Sequence, residues 1–243
     1  MTQPAFSPTG LRFDNIDKRY GRLYALRRVS LEVPAGECVA LAGRNGSGKT
    51  TLLRIAAQLV RPSSGTLSFC GPSASATSTP VNANGASPQK LSGFVGHATM
   101  VYDELTAEEN LLLFARLQGI VEPAKRVARL LDDVGLSERC DSLVRTFSRG
   151  MRQRMAIARV LLHEPAILLL DEPATGLDPE GVRWLAETLR RLRDEGRTIL
   201  MSLHGESAIS ALATRGIRLD AGAIVADTRA GASLRSILTF AGG

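Results

Sequence analysis

The run Gly43-Arg44-Asn45-Gly46-Ser47-Gly48-Lys49-Thr50 is the most informative segment of this 243-residue sequence. It has the spacing G-x-x-x-x-G-K-[ST], and its flanks are those the pattern requires. Residues 37–42 read as a short apolar strand. Residues 49–60 place Leu52, Leu53, Ile55, Ala56 and Leu59 at helical spacing and predict a helix. Gly43, Gly46 and Gly48 let backbone N–H groups wrap phosphate oxygens without side-chain obstruction, with Asn45 and Ser47 between them. The start of the helix adds a partial positive charge. Lys49 is suited to neutralise β- and γ-phosphate charge, and the Thr50 hydroxyl, beside Thr51, is suited to ligate Mg²⁺.

A second motif supplies the complementary chemistry. Ile167-Leu168-Leu169-Leu170 is an apolar run bounded by turn signals, as expected of a strand buried on both faces, and it ends in Asp171-Glu172. A carboxylate at such a strand end can hold Mg²⁺ beside phosphates, and an adjacent carboxylate can polarise an attacking water. Together the two motifs define a P-loop nucleoside triphosphatase.

The rest of the chain predicts alternating strands and helices. Strands are expected at residues 29–33, 66–70, 94–96 and 198–203. The Thr106-Ala107-Glu108-Glu109 capping pattern opens a helix ending near Gly119, and a second helix spans residues 123–134. Ser148 caps a third helix over residues 149–163, and Asp178-Pro179 opens a fourth that Gly196 closes. Residues 72–92, rich in Ser, Ala, Thr, Pro and Asn, read as a surface loop. Strands alternating with helices imply an α/β class with a largely parallel sheet covered on both faces.

Composition bounds the function. The formal net charge is +6, from 30 Lys+Arg against 24 Asp+Glu, and the excess is confined to residues 1–97. A basic first third followed by a near-neutral remainder suits a local polyanion such as ATP better than general nucleic-acid binding. Only Lys18, Lys49, Lys90 and Lys125 are lysines, and one of them sits in the strongest motif. No stretch approaches the ~18–20 apolar residues needed to cross a bilayer. The first ten residues do not read as a signal peptide. Cys38, Cys70 and Cys140 are scattered and odd in number, which predicts a reducing compartment.

Further motifs narrow the class. Phe147-Ser148-Arg149-Gly150-Met151 resembles the LSGGQ signature of ATP-binding cassette (ABC) ATPases. Asp171-Glu172-Pro173-Ala174-Thr175-Gly176-Leu177-Asp178 resembles the family's D-E-P-x-x-x-L-D run. His204 stands where the family has its switch histidine, and Tyr20 where it has the aromatic that stacks on adenine. The resemblance extends from Leu11 to about Asp227, with the motifs in the family's order. It implies a P-loop core with a small N-terminal antiparallel β subdomain and an inserted helical subdomain. The expected subregions are 1–97 (β subdomain and P-loop), 98–160 (helical, with the signature) and 161–243 (the remaining core).

By the same resemblance, two such chains sandwich two ATP molecules head to tail. Ser148 and Gly150 of one chain would face the γ-phosphate held by Lys49 of the other. Glu172 would be the general base, His204 would position the water, and Asp178 would couple the two sites. Mg²⁺ would be held by Thr50 and Asp171. His97 stands at the family's metal-sensing Gln, where imidazole can ligate a metal or bridge through water. Arg149 and Met151 replace the signature's first Gly and its Gln, which puts a hydrogen bond to the nucleotide sugar in doubt.

The sequence around His97, with Leu105-Thr106-Ala107-Glu108-Glu109-Asn110, looks like the haem-exporter ATPase subunit of cytochrome c maturation. The alternative is the ATPase of a drug, sodium or polysaccharide exporter. Those often carry longer C-terminal extensions than the segment that follows His204 here. Either role implies a separate membrane-spanning partner, with Tyr102, Leu105 and Leu112 as candidate contacts, and a place on the cytoplasmic face of the membrane. A soluble cassette ATPase acting on DNA or ribosomes usually has tandem cassettes or a long coiled coil, for which this sequence has no sustained heptads. A small-molecule kinase lacks the signature and the Asp-Glu pair.

Overall fold

The computed structural model describes residues 9–71, 91–96, 98–203, 208–231 and 233–238. Strands β1 (Gly10–Tyr20) and β2 (Leu23–Val33) form a hairpin through a turn at Gly21, whose φ of 59° suits glycine. Strand β3 (Cys38–Ala42) leads through the Gly-rich loop into helix α1 (Lys49–Ala56), and β4 (Ser64–Cys70) returns to pair with β1. Strands β1, β2 and β4 give a three-stranded antiparallel sheet in the order β2-β1-β4. No strand was foreseen over β1. Its inward positions Leu11, Phe13 and Ile16 are interrupted by register shifts against β2, so strict alternation is lost.

Strand β3 and the five strands that follow β4 build a six-stranded sheet. Strand β5 (Ser92–Val95) is followed by helices α2 (Ala107–Leu117), α3 (Pro123–Asp133) and α4 (Arg149–Leu161). Strand β6 (Ile167–Asp171), helix α5 (Pro179–Asp194) and strand β7 (Thr198–Ser202) continue the alternation. Strands β8 (Arg215–Asp220) and β9 (Ala223–Asp227) and helix α6 (Leu234–Leu238) complete the described chain. The strand order is β5-β6-β7-β3-β8-β9, parallel throughout except for β9.

Two apolar layers hold this arrangement, and strand periodicity assigns residues to each. Val39 and Leu41 of β3, Ile167 and Leu169 of β6, and Leu200 of β7 point toward α1 and the antiparallel sheet. Cys38, Ala40, Leu168, Leu170, Ile199 and Met201 point the other way, onto the layer that holds α4 and α5. Continuous apolar runs are therefore buried on both faces, as the 167–170 run predicted.

The helix predicted over 49–60 stops at Ala56. Gln58 takes a left-handed φ of 57°, and Leu59 is 58% exposed instead of completing the apolar stripe. The Arg54 carbonyl accepts from the N–H groups of both Leu59 and Val60, closing the helix with a turn. The strand expected at 94–96 begins earlier, at Ser92, and ends at Val95. The predicted caps hold. Thr106 Oγ1 accepts from Glu109 N at 3.1 Å while Glu109 Oε2 accepts from Thr106 N at 2.8 Å. Ser148 Oγ accepts from Met151 N at 3.2 Å, and Asp178 Oδ1 from Gly181 N at 2.8 Å. Most of the surface loop expected over 72–92 lies outside the described residues.

Candidate functional site

The site is assembled at the C-terminal ends of β3, β6 and β7, where parallel sheets expose a crevice. Gly43, Gly46 and Gly48 have φ of 142°, 80° and 109°, conformations that a side chain would strain. At Gly48 a Cβ would also lie 2.6 Å from the Ala25 carbonyl oxygen. Ser47 is buried, and its Oγ has no hydrogen-bond partner among the described residues. The loop returns the chain so that the start of α1 faces the crevice.

Lys49 is the first residue of α1 and only 6% exposed. Its ammonium donates to the carbonyl oxygens of Gly43 at 2.7 Å and Arg44 at 3.1 Å. Burial lowers its pKa, and the nearby carboxylates of Glu172 and Asp171 oppose that shift. A partly desolvated cation held by neutral carbonyls can be attracted strongly by incoming phosphate oxygens.

The second motif meets the first directly. Thr50 Oγ1 donates to Asp171 Oδ1 at 3.0 Å, bridging the start of α1 to the end of β6. Ser202, at the end of β7, donates to the same Asp171 oxygen at 2.7 Å and accepts from the Glu172 N–H at 2.8 Å. Ser202 was not singled out from the sequence. Its signal was a hydroxyl at the end of an apolar strand, visible as significant only once β7 is known to lie beside β6. Glu172 has a φ of 50°, so the chain turns sharply after β6 and the two adjacent carboxylates diverge.

An open groove of about 470 Å³ is lined by Tyr20, Ala25, Asn45, Gly46, Gly48, Lys49, Thr50, Thr51 and Glu172. Tyr20, at the end of β1, is 51% exposed, with the Lys18 ammonium 4.9 Å from its ring centroid. A flat ring at one end and a phosphate cradle at the other suit a nucleotide. The hydroxyl of Thr50 and the carboxylate of Asp171 are the hard oxygen donors suited to Mg²⁺, which takes one or two protein ligands and the rest from phosphates and water.

Other predicted residues stand elsewhere. Ser148 and Gly150 stand at the start of α4, on either side of Arg149, which lines a second groove of about 620 Å³ with Thr99, Met100, Arg152, Glu172 and Thr175, among others. They do not line the groove that Lys49 does. Asp178 caps α5, at the end of the turn that follows Glu172. His97 and His204 lie outside the described residues.

Fold and site together define a P-loop ATPase built around a parallel sheet. More narrowly, the chain belongs to the ABC transporter family, whose model matches residues 26–175. It is 39% identical over 194 residues to the Nod factor export ATP-binding protein I of Burkholderia orbicola, covering 79% of this chain and 62% of that protein. It is 38% identical over 203 residues to the ABC transporter ATP-binding protein NatA of Bacillus subtilis, covering 83% and 80%. Among solved structures, the dimeric post-hydrolysis state of the ATP-binding cassette MJ0796 bound to ADP and Pi matches with a TM-score of 0.76. That match has 27% identity and covers 89% of this chain and 97% of that one.

Proposed function

We propose that this chain is the ATP-binding and ATP-hydrolysing subunit of an export transporter, working as a head-to-tail pair on a separate membrane-spanning partner. The observation that carries this reading is the convergence of Lys49, Thr50 and Glu172 on one nucleotide-sized groove, with Asp171 bonded to Thr50 behind it. Tyr20 stacks the base, and the loop from Gly43 through Asn45, Gly46, Ser47 and Gly48 wraps the phosphates. Lys49 neutralises their charge, and Thr50 and Asp171 hold Mg²⁺, with Thr51 alongside. Bound there, Mg²⁺ would supply neutralisation of phosphate charge.

Glu172 takes a proton from the attacking water, whose oxygen bonds to the γ-phosphorus as the bond to the β-phosphate bridging oxygen breaks. ADP and phosphate leave. His204 positions that water, and His97 takes the role of the family's metal- and water-sensing Gln. Ser148 and Gly150 act on the partner copy's nucleotide, since within their own chain they do not line the Lys49 groove. Asp178 links the paired sites.

No helix among the described residues is long and apolar enough to cross a membrane. The proposed place is the cytoplasmic face, docked to the partner through the surface near Tyr102, Leu105 and Leu112. Tyr102 is 54% exposed and stacks on Phe114 with centroids 6.1 Å apart. For the cargo, a relative named for Nod factor export supports the efflux class over haem export. The haem reading rests on His97, the 105–110 sequence and the short segment after His204. Co-purifying the membrane partner distinguishes the two, because a haem-channel subunit or an efflux permease would come with it.

Glu172→Gln tests the catalytic reading. It is expected to bind ATP as tightly as wild type and to lose turnover by at least about 100-fold. Steady hydrolysis near the wild-type rate would sink the assignment.

A further inference from the structure

Arg149 breaks a local rule. It occupies the first position of α4, directly after the cap Ser148, and no acidic side chain lies in that first turn. A fixed cation at a helix N-terminus is disfavoured by the positive end of the helix dipole. Neighbouring Arg152 is committed: its guanidinium bonds the Asp103 carboxylate and the Phe147 carbonyl. Arg149 makes no hydrogen bond or ion pair among the described residues. Its guanidinium lies instead over Gly176, in the turn between Glu172 and Asp178. A methyl group on Gly176 would sit 2.5 Å from Arg149 Cζ, 2.6 Å from Nε and 2.7 Å from Nη1. The planar group therefore rests on the bare backbone of Gly176, whose φ of 71° itself favours glycine.

We infer that Arg149 is a positioning residue that couples the two nucleotide sites through a single chain. It does so by clamping the Glu172–Asp178 turn to the end of α4 that carries Ser148 and Gly150. This rests on the paired-chain reading above, in which Glu172 serves the chain's own nucleotide while Ser148 and Gly150 serve the partner copy's. Arg149 and Gly176 are both exposed in the single chain, so pairing can bury the contact. Movement of the turn when nucleotide reaches Glu172 would then shift the start of α4 at the other site.

The test uses Arg149→Gly and Arg149→Lys in the full chain. Lysine keeps the charge but lacks the planar face. Both variants are expected to bind nucleotide within about twofold of wild type, because Arg149 does not line the Lys49 groove. Both should lower kcat by about fivefold or more and bring the Hill coefficient for ATP hydrolysis from near 2 toward 1. Full wild-type behaviour of Arg149→Lys would mean that charge at the helix end matters and the clamp does not, which overturns the inference. Unchanged cooperativity in both variants, or a parallel loss of nucleotide affinity, overturns it as well. Wild type without cooperative hydrolysis, or Glu172→Gln that fails to dimerise with ATP, would instead refute the paired-chain reading.

Discussion

Asp171 and Glu172 are neighbours in sequence, yet the structure gives them different surroundings. Asp171 is 3% exposed and receives hydroxyls from Thr50 and Ser202. Glu172 turns out of the strand with φ 50° and reaches both grooves, with Thr175 Oγ1 donating to its Oε2 at 3.4 Å. A left-handed conformation at a non-glycine residue costs about 1 kcal/mol, and here it separates the surroundings of two adjacent carboxylates. Cys38 shows burial acting on reactivity. Desolvation pushes its thiol up to about 12, so thiolate is scarce near neutrality. A thiol reagent at pH 8 is expected to titrate at most two cysteines in the native chain and three after denaturation. Rapid labelling of Cys38 in the folded protein would contradict its burial.

At the scale of elements, the antiparallel edge is fastened by one buried arginine. Arg215 on β8 donates to Asp227 on β9 through Nε at 2.9 Å and Nη2 at 2.6 Å, and to the Glu32 carbonyl on β2 at 2.6 Å. One guanidinium thus joins the two sheets. The hydrogen bonds from Arg215 hold the Asp227 carboxyl below its usual 3.8. A depressed carboxylate stabilises the fold fully above its unfolded value and loses that contribution as pH falls through the folded one. Asp227→Asn is expected to cost about 1–3 kcal/mol at pH 7 in urea unfolding. The difference from wild type should shrink as pH falls below about 4, where the unfolded carboxylate protonates, and disappear once pH has passed through the lower native value. A difference independent of pH would place the effect elsewhere. Helix starts behave more simply: Thr106, Ser148 and Asp178 each cap the helix that their local sequence announced.

At the scale of the molecule, nucleotide binding and folding draw on the same contacts. The Gly-rich loop, the start of α1 and the ends of β6 and β7 belong to different parts of the chain, so a ligand touching them resists unfolding. ATP with Mg²⁺ at a hundredfold excess over Kd should stabilise the chain by about 2.7 kcal/mol, seen as a rise in Tm. Lys49→Ala is expected to abolish most of that rise, whatever it does to the baseline. An unchanged rise would refute the phosphate-loop reading.

Much of this was readable from local sequence. Phosphate-loop chemistry needs glycines and a lysine at fixed spacing along one continuous turn. Buried parallel strands need unbroken apolar runs, and capping needs a hydroxyl or carboxylate one turn ahead of its N–H partner. These are short-range requirements, so 43–50, 167–172 and the caps carried them by themselves. What only the tertiary structure decided involves residues far apart in sequence. Ser202 reaches Asp171 because β7 pairs with β6, and Arg215 reaches Glu32 because the two sheets pack together. Arg149 lies on Gly176 because α4 and the turn after β6 end side by side. Hydrogen-bond partners and bare backbone surfaces at such distances leave no periodicity to read; they exist once the core has fixed which strand ends and helix ends meet.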